Sequence, residues 1–302
     1  MSIIEKAIEK KNKEKSVEKE TEKSKAENNK TVETKPEIID RAVETNAATT
    51  DNEVSKSIKL DFSALRQAGM FVPDNTNSRI ENEYRVIKRP LIMNASGKGA
   101  SIVDNANLIV VTSSLPGEGK TFSAVNLAMS IAMERDKHVL LVDADVARSS
   151  ISKLLHLDEK SGLIDMLVDE HVDFSDVVIK TDLPNLSILP SGRTHPHSTE
   201  LLASNEMAAF TTELSKRYSD RIVIFDAPPL LVTTEASVLA NHMGQVVMVV
   251  EAGKTQQSQV KEALARLNSP EIIGFILNKT IGGVMGGEYD YSYGYYGSGE
   301  AS

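Results

Sequence analysis

A nine-residue turn, SSLPGEGKT from Ser113 to Thr121, restricts this chain more than any other stretch. The apolar run Leu108 to Thr112 stands directly before it, and a helical period follows in which Phe122, Val125, Met129 and Ala132 share one face. Strand, glycine-bearing turn ending in Lys-Thr, then helix is the layout of a phosphate-binding loop. Small residues let successive amides turn inward onto phosphate oxygens, and a helix starting near Gly119 adds its partial positive charge. On this reading Pro116, Gly117, Glu118, Gly119, Lys120, Thr121 and Phe122 surround a nucleotide. Lys120 brings a cation to the terminal phosphates, and the Thr121 hydroxyl faces Mg2+. The spelling departs from GxxxxGK(S/T) at its first position, where Ser114 replaces glycine. The competing reading is a glycine turn that only caps a helix.

From Asn107 onward, short apolar runs alternate with longer helical periods, the pattern of parallel strands joined by crossover helices. The spacing predicts strands at Leu108 to Thr112, Val139 to Val142, Leu186 to Leu189, Ile222 to Phe225, Val246 to Val250 and Ile272 to Leu277. It predicts helices at Thr121 to Glu134, Gly162 to Asp169, Thr199 to Tyr218, Thr234 to Asn241 and Gln257 to Leu267. The expected fold class is α/β: a doubly wound, mostly parallel sheet with helices on both faces, of the kind found in phosphate-loop nucleotide hydrolases. Such sheets bind ligands outside the carboxyl ends of their strands, so the loops after Thr112, Val142 and Phe225 should meet.

Two of those loops carry acids. In VLLVDADVARS a strand delivers Asp143 and Asp145, with Arg148 three residues on. Two carboxylates at one strand end are costly unless a cation lies between them. Mg2+ on nucleotide phosphates supplies such a cation, and a carboxylate left over can accept a proton from an incoming hydroxyl. In IVIFDAPP four apolar residues run into Asp226, where a second magnesium-directed acid is expected, with Pro228 and Pro229 stiffening the turn. Either acidic loop alone could equally cap a helix or end a strand.

The flanks read differently. Between Lys11 and Pro36, 14 of 26 residues are Lys or Glu and only Val17, Ala26 and Val32 are apolar, so residues 1–60 are expected to be a charged leader with no buried face. Ahead of that run, Ile3, Ile4, Ala7 and Ile8 recur at near-helical spacing, either a docking stripe or a frayed terminus. ENEYRVIKRPLI from Glu81 predicts a helical lead-in over 80–90, stopped at Pro90, to a catalytic domain at 61–281. Residues 282–302 form a Gly/Tyr-rich tail: five of the seven tyrosines lie at Tyr289, Tyr291, Tyr293, Tyr295 and Tyr296, and seven of the 17 glycines fall from Gly282 onward. Rings alternating with Gly, Ser and Asp bury no face, so the tail is read as exposed, a strip of phenol acceptors or a sticky low-complexity end.

Composition closes off other classes. With no cysteine in 302 residues, disulfide frameworks and thiol nucleophiles are excluded. A formal charge of −9 removes the general electrostatic basis for nucleic-acid binding, and none is expected. No apolar run reaches the roughly 18 residues of a membrane span and the first residues lack a signal-peptide core, so the expected location is the cytoplasm.

SSLPGEGKT, VLLVDADVAR and IVIFDAPP, in that order and followed by a C-terminal tyrosine cluster, resemble the bacterial tyrosine autokinases of exopolysaccharide and capsule synthesis. MSIIEKAIEK, EYRVIKRPLI and the form DADVAR are most similar to the subgroup associated with exosortase A. The resemblance implies ATP and Mg2+ as cofactors and phosphorylation of the tail tyrosines between neighbouring subunits of a ring. It also implies control by a separate membrane-bound polysaccharide chain-length regulator that recruits the kinase to the inner membrane face. Carried over position by position, Lys120 and the amides of Gly117 to Thr121 hold phosphates, Thr121, Asp145 and Asp226 hold the metal, and Arg148 assists. Asp143 is the first choice to meet the tyrosine hydroxyl, with Asp145 the alternative. Asn278 of FILNKT either reads the adenine edge or is a plain loop residue. Three stretches depart from related patterns. Leu115 stands where partitioning ATPases carry an extra lysine, and Ala147 replaces the first arginine after the second aspartate. The ring-forming ExxRxxR helix motif reads Asn82, Arg85 and Lys88, where Arg85 and Lys88 suit a solvated face unless the ring exists. The rival functions are an ATPase switch without kinase chemistry and a scaffold that recruits assembly proteins.

Overall fold

The computed structural model describes residues 57–73, 79–99, 103–157, 159–218, 220–267 and 272–280, all within the unit 41–302. The leader stripe at Ile3 to Ile8 and the tail tyrosines lie outside the described residues. Eight strands form one sheet: β1 (Ser57–Ile58), β2 (Leu108–Ser113), β3 (His138–Asp143), β4 (Ile179–Thr181), β5 (Leu186–Leu189), β6 (Arg221–Asp226), β7 (Gln245–Glu251) and β8 (Ile272–Asn278). Their spatial order is β1-β4-β5-β3-β6-β2-β7-β8, and every pairing is parallel except β4 with β5. The fold is thus the doubly wound α/β sheet that the alternating pattern predicts. All six residues of LIVVTS in β2 are buried, as are the last five of RIVIFD in β6. Strands covered on both faces read as continuous apolar runs rather than as alternations, which is why these were visible in sequence. β1 and β4, of two and three residues, are too short to leave such a signal.

Helices α1 (Phe62–Gln67) and α2 (Arg79–Ala95) lead in, followed by α3 (Lys120–Ala132), α4 (Ser150–Leu154), α5 (Leu163–Val168), α6 (Phe174–Val177), α7 (Ser198–Leu201), α8 (Asn205–Arg217), α9 (Glu235–Ala240) and α10 (Gln257–Leu264). α2 packs on α3 and overturns one expectation: it runs on through Pro90 to Ala95 instead of stopping. The missing Pro90 amide would have bonded the carbonyl of Val86, and both residues are exposed, so water can serve that carbonyl. Buried Gln245 holds the far end of the helix: its amide nitrogen donates to Leu91 O (3.1 Å) and Ala106 O (2.6 Å), and its oxygen accepts from Asn94 (2.9 Å). Lys88 corrects a second expectation. It is 6% exposed, donates to Ser130 O (2.6 Å) and pairs with Glu134 (2.6 Å), so it seams α2 to α3 instead of facing solvent. The single helix expected from Thr199 to Tyr218 is broken in two. The first piece ends at Leu201, and Ser204 caps the second, its hydroxyl accepting from Met207 N at 3.2 Å.

Candidate nucleotide and catalytic site

Strand order places three carboxyl ends side by side, β3, β6 and β2, and register aligns them: Asp226 is the partner of Asp143 on one side and of Val111 on the other. The loops that follow are stitched together. Leu230 N donates to Ser113 O (2.8 Å), Thr112 Oγ1 to Pro228 O (2.7 Å) and Ala144 N to Asp226 O (3.0 Å). All three predicted loops therefore converge at one end of the sheet.

The phosphate loop needs its glycines. Gly117 at φ +88° and Gly119 at φ +100° lie in the left-handed region, and a Cβ on Gly119 would also strike the Asn278 amide. The Glu118 side chain is an internal brace: it is buried, one oxygen accepts from Leu115 N (2.8 Å) and the other from the Thr255 hydroxyl, which leaves its backbone amide as the group it can offer a phosphate. Asn278 donates to Glu118 O at 2.9 Å, and Lys279, which sequence reasoning did not single out, donates to Gly117 O at 2.6 Å. The chain after β8 thus shapes the loop from outside. Phe122 and Asn278 also line a cleft of about 710 Å³, bounded by Tyr84 and Ile87 of α2 and by Ile276, within the usual size of a small-molecule site.

At the centre Lys120, 7% exposed, lies 2.6 Å from Asp145 Oδ2 and 3.3 Å from Asp226 Oδ1, while the Thr121 hydroxyl donates to Asp226 Oδ2 at 2.6 Å. Asp143 is turned the other way. Its Oδ2 accepts from the amide (2.8 Å) and hydroxyl (2.7 Å) of Ser152, whose oxygen accepts in turn from Ser191 N (3.1 Å). Its Oδ1 is buried without a hydrogen-bond partner. Ser152 and Ser191 left no signal in sequence, because a serine inside a helix or after a strand announces nothing by itself. Arg148 reaches none of this: its side chain is exposed and has no partner among the described residues.

Electrostatics follow from this crowding. Burial, then the neighbouring charges of Asp226 and Asp145, push the Asp143 carboxyl up to about 7 against the opposing Ser152 bonds. Burial also raises Asp226, though Lys120 and Thr121 pull it back. Burial lowers the Lys120 ammonium, but Asp226 and Asp145 more than offset that and hold it above the ordinary lysine value. When all three acids are ionised, two buried carboxylates hold the one ammonium and a third, Asp143, lies buried beside them. That excess of negative charge, with an unpartnered Asp143 oxygen, suits a divalent cation. Among the described residues no three acidic or histidine side chains gather closely enough to hold a metal alone, so phosphate oxygens would have to complete its shell.

A mostly parallel sheet with a phosphate loop facing strand-end aspartates defines a phosphate-loop nucleotide-binding protein. Residues 106–268 match the AAA domain family. The chain is 32% identical over 235 residues to tyrosine-protein kinase YwqD of Bacillus subtilis (strain 168), covering 76% of this chain and 90% of that protein. It is also 32% identical over 174 residues to tyrosine-protein kinase ptk of Acinetobacter johnsonii, 57% of this chain but only 23% of that longer protein. Among solved structures, the kinase domain of Escherichia coli tyrosine kinase ETK superimposes with TM-score 0.62 at 25% identity, covering 80% of this chain and 94% of that domain. The chain belongs to the AAA domain family and, within it, to the bacterial tyrosine-protein kinases.

Proposed function

We propose that this kinase transfers the terminal phosphoryl group of ATP, with Mg2+, to the tyrosines of its own C-terminal segment, from one copy of the chain to another. The observation that carries the reading is the Lys120 ammonium held between Asp145 and Asp226 directly beneath a phosphate loop. The ammonium is poised to leave one carboxylate for a phosphate. Thr121, Asp145 and Asp226 would then hold the metal, which neutralises developing phosphate charge when bound. The amides of Gly117 to Thr121 orient the phosphates, and the 710 Å³ cleft at Phe122 and Asn278 takes the nucleoside. Asp143, its Oδ2 fixed by Ser152 and its Oδ1 free, accepts the phenol proton. Arg148, exposed at the mouth, meets the incoming segment.

The acceptors are Tyr289, Tyr291, Tyr293, Tyr295 and Tyr296. Each phosphate adds about −1.5 to −2 charges, so a fully modified tail repels its neighbours and favours the monomer over a ring. Lys88, tied inside the subunit, cannot also serve a ring contact, which leaves Arg85 as the exposed basic residue of that helix face. Among the described residues no helix is long and apolar enough to cross a membrane. In this reading a separate regulator of polysaccharide chain length recruits the kinase from the cytoplasm to the membrane, and the process controlled is exopolysaccharide synthesis and export. Assignment to the exosortase A-associated subgroup rests on MSIIEKAIEK, EYRVIKRPLI and DADVAR alone.

The test mixes two full-length proteins: an active one with all five tail tyrosines changed to Phe, and Lys120→Met with its tail intact. Phosphotyrosine on the Lys120→Met chain is expected. Phosphate release with both chains unmodified would replace the kinase with an ATPase switch.

A further inference from the structure

Beside the catalytic loop, on the side away from the nucleotide cleft, is a second cavity of about 270 Å³, too small for a cofactor but sized for a side chain. Its lining includes Ser149, Lys153, Thr194, His195, Ser198 and Thr199, with Val146, Ala147 and Pro196 as apolar wall. We propose that this cavity is an acceptor subsite, which takes a second tyrosine of the acidic tail of another copy while its neighbour is phosphorylated. The inference rests on the kinase reading above and deepens it.

Four observations support it. First, the cavity and the proposed base share one frame. Its floor continues directly from Asp145, whose carbonyl accepts from Arg148 N (3.0 Å) and Ser149 N (2.7 Å). The Ser152–Ser191 pair that fixes Asp143 stands next in sequence to Lys153 and Gly192, both of which line the cavity. The backbone that lines the cavity is therefore the same backbone that positions the carboxylates. Second, the lining offers a phenol apolar walls for its ring and, since the Ser149, Ser198 and Thr199 hydroxyls donate to Val146 O, His195 O and Glu200, the His195 ring and Lys153 as donors for its oxygen. His197 N donates to His195 Nδ1 (3.2 Å), which puts the imidazole proton on Nε2 as a free donor.

Third, the cationic side of the cavity is available. Lys153 spends one N–H on Arg148 O (2.6 Å) and keeps two, and the Arg148 guanidinium is exposed without a partner among the described residues. Nearby Arg193 is committed to Asp165 (2.5 Å), and Glu200 is engaged by Thr199 (2.9 Å). The 22 residues after Thr280 carry Glu288, Asp290 and Glu300 and no Lys or Arg, so the charges are complementary. Fourth, Tyr289, Tyr291, Tyr293 and Tyr295 recur with period two. In an extended segment they share a face about 6.8 Å apart, so one ring at Asp143 leaves the next positioned for the cavity.

The probe is a fluorescent synthetic peptide, GGEYDYSYGYYGS, spanning residues 286–298, titrated with the full-length protein in MgATP-free and MgADP-bound forms and read by anisotropy. Lys153→Glu and, separately, Thr194→Trp, which fills the cavity from an exposed position, should each weaken binding about fivefold to tenfold while leaving nucleotide affinity unchanged. A peptide with Glu288→Gln and Asp290→Asn should lose most of its sensitivity to Lys153→Glu and to salt, and needs no change in the protein. Lack of wild-type peptide binding, or binding indifferent to both protein variants, overturns the subsite. Peptide phosphorylation that continues with unchanged KM in both variants overturns it while sparing the kinase reading. Lys153-dependent binding with no phosphotransfer does the reverse.

Discussion

Two buried lysines, one in the lead-in helix and one at the phosphate loop, behave in opposite ways. Lys88 on α2 and Lys120 on α3 are about equally hidden, 6% and 7% exposed. Lys88 meets one carbonyl and one half-exposed carboxylate, so its charge is matched and its surroundings ask for nothing more. Lys120 sits among buried acids that outnumber it, with an Asp143 oxygen left unpartnered. Burial of a charge does not by itself mark function. The mark is a local charge balance that the protein alone does not close.

The largest effect should come from Lys120→Met, which removes the group that meets the phosphates. Tail phosphorylation is expected to fall on the order of a hundredfold to a thousandfold or more, measured as phosphotyrosine per minute. Lys88→Met should do the contrary, costing about 1–3 kcal/mol of stability by stranding the Ser130 carbonyl while changing the rate little; denaturant unfolding and a kinase assay on one preparation separate the two lysines. If Lys88→Met silenced the kinase and left stability intact, the contrast would collapse.

pH sharpens the same contrast. Asp143 titrates near 7 in the folded protein and near the ordinary value of 3.8 when unfolded. Between those values the folded state binds more protons, so this group's contribution to stability falls as pH rises toward 7. In metal-free, nucleotide-free protein the melting temperature should therefore drop over that window, and Asp143→Asn should flatten the slope. A smaller effect is expected at Pro90: Pro90→Ala restores an amide to an exposed turn of α2 and should stabilise by less than the ~3 kcal/mol that proline costs in a helix interior, because the orphaned carbonyl already meets water, seen as a rise in denaturant midpoint without loss of activity.

Much of the site was legible in the chain because its parts are local. A run such as LIVVTS must be a buried strand, SSLPGEGKT must turn where it does, and Asp226 must end where its apolar run ends. What escaped depended on long-range company. Lys88 looked like one more charge on a helix until α3 supplied Ser130 and Glu134, and the bracing role of the Glu118 side chain depends on Thr255, which comes from beyond another strand's end. Pro90 misled because its penalty depends on whether the orphaned carbonyl meets water, which sequence does not report. Ser152 and Ser191 are 39 residues apart and become a pair only through the β3–β5 neighbourhood.

Incubating the purified full-length protein with ATP and Mg2+ and mapping phosphate by mass spectrometry addresses the central claim at its source. Phosphate on tyrosines 289–296, absent from the Lys120→Met protein, is the outcome expected of an ammonium and three strand-end acids that serve phosphoryl transfer. Steady release of inorganic phosphate with every tail tyrosine unmodified would contradict it.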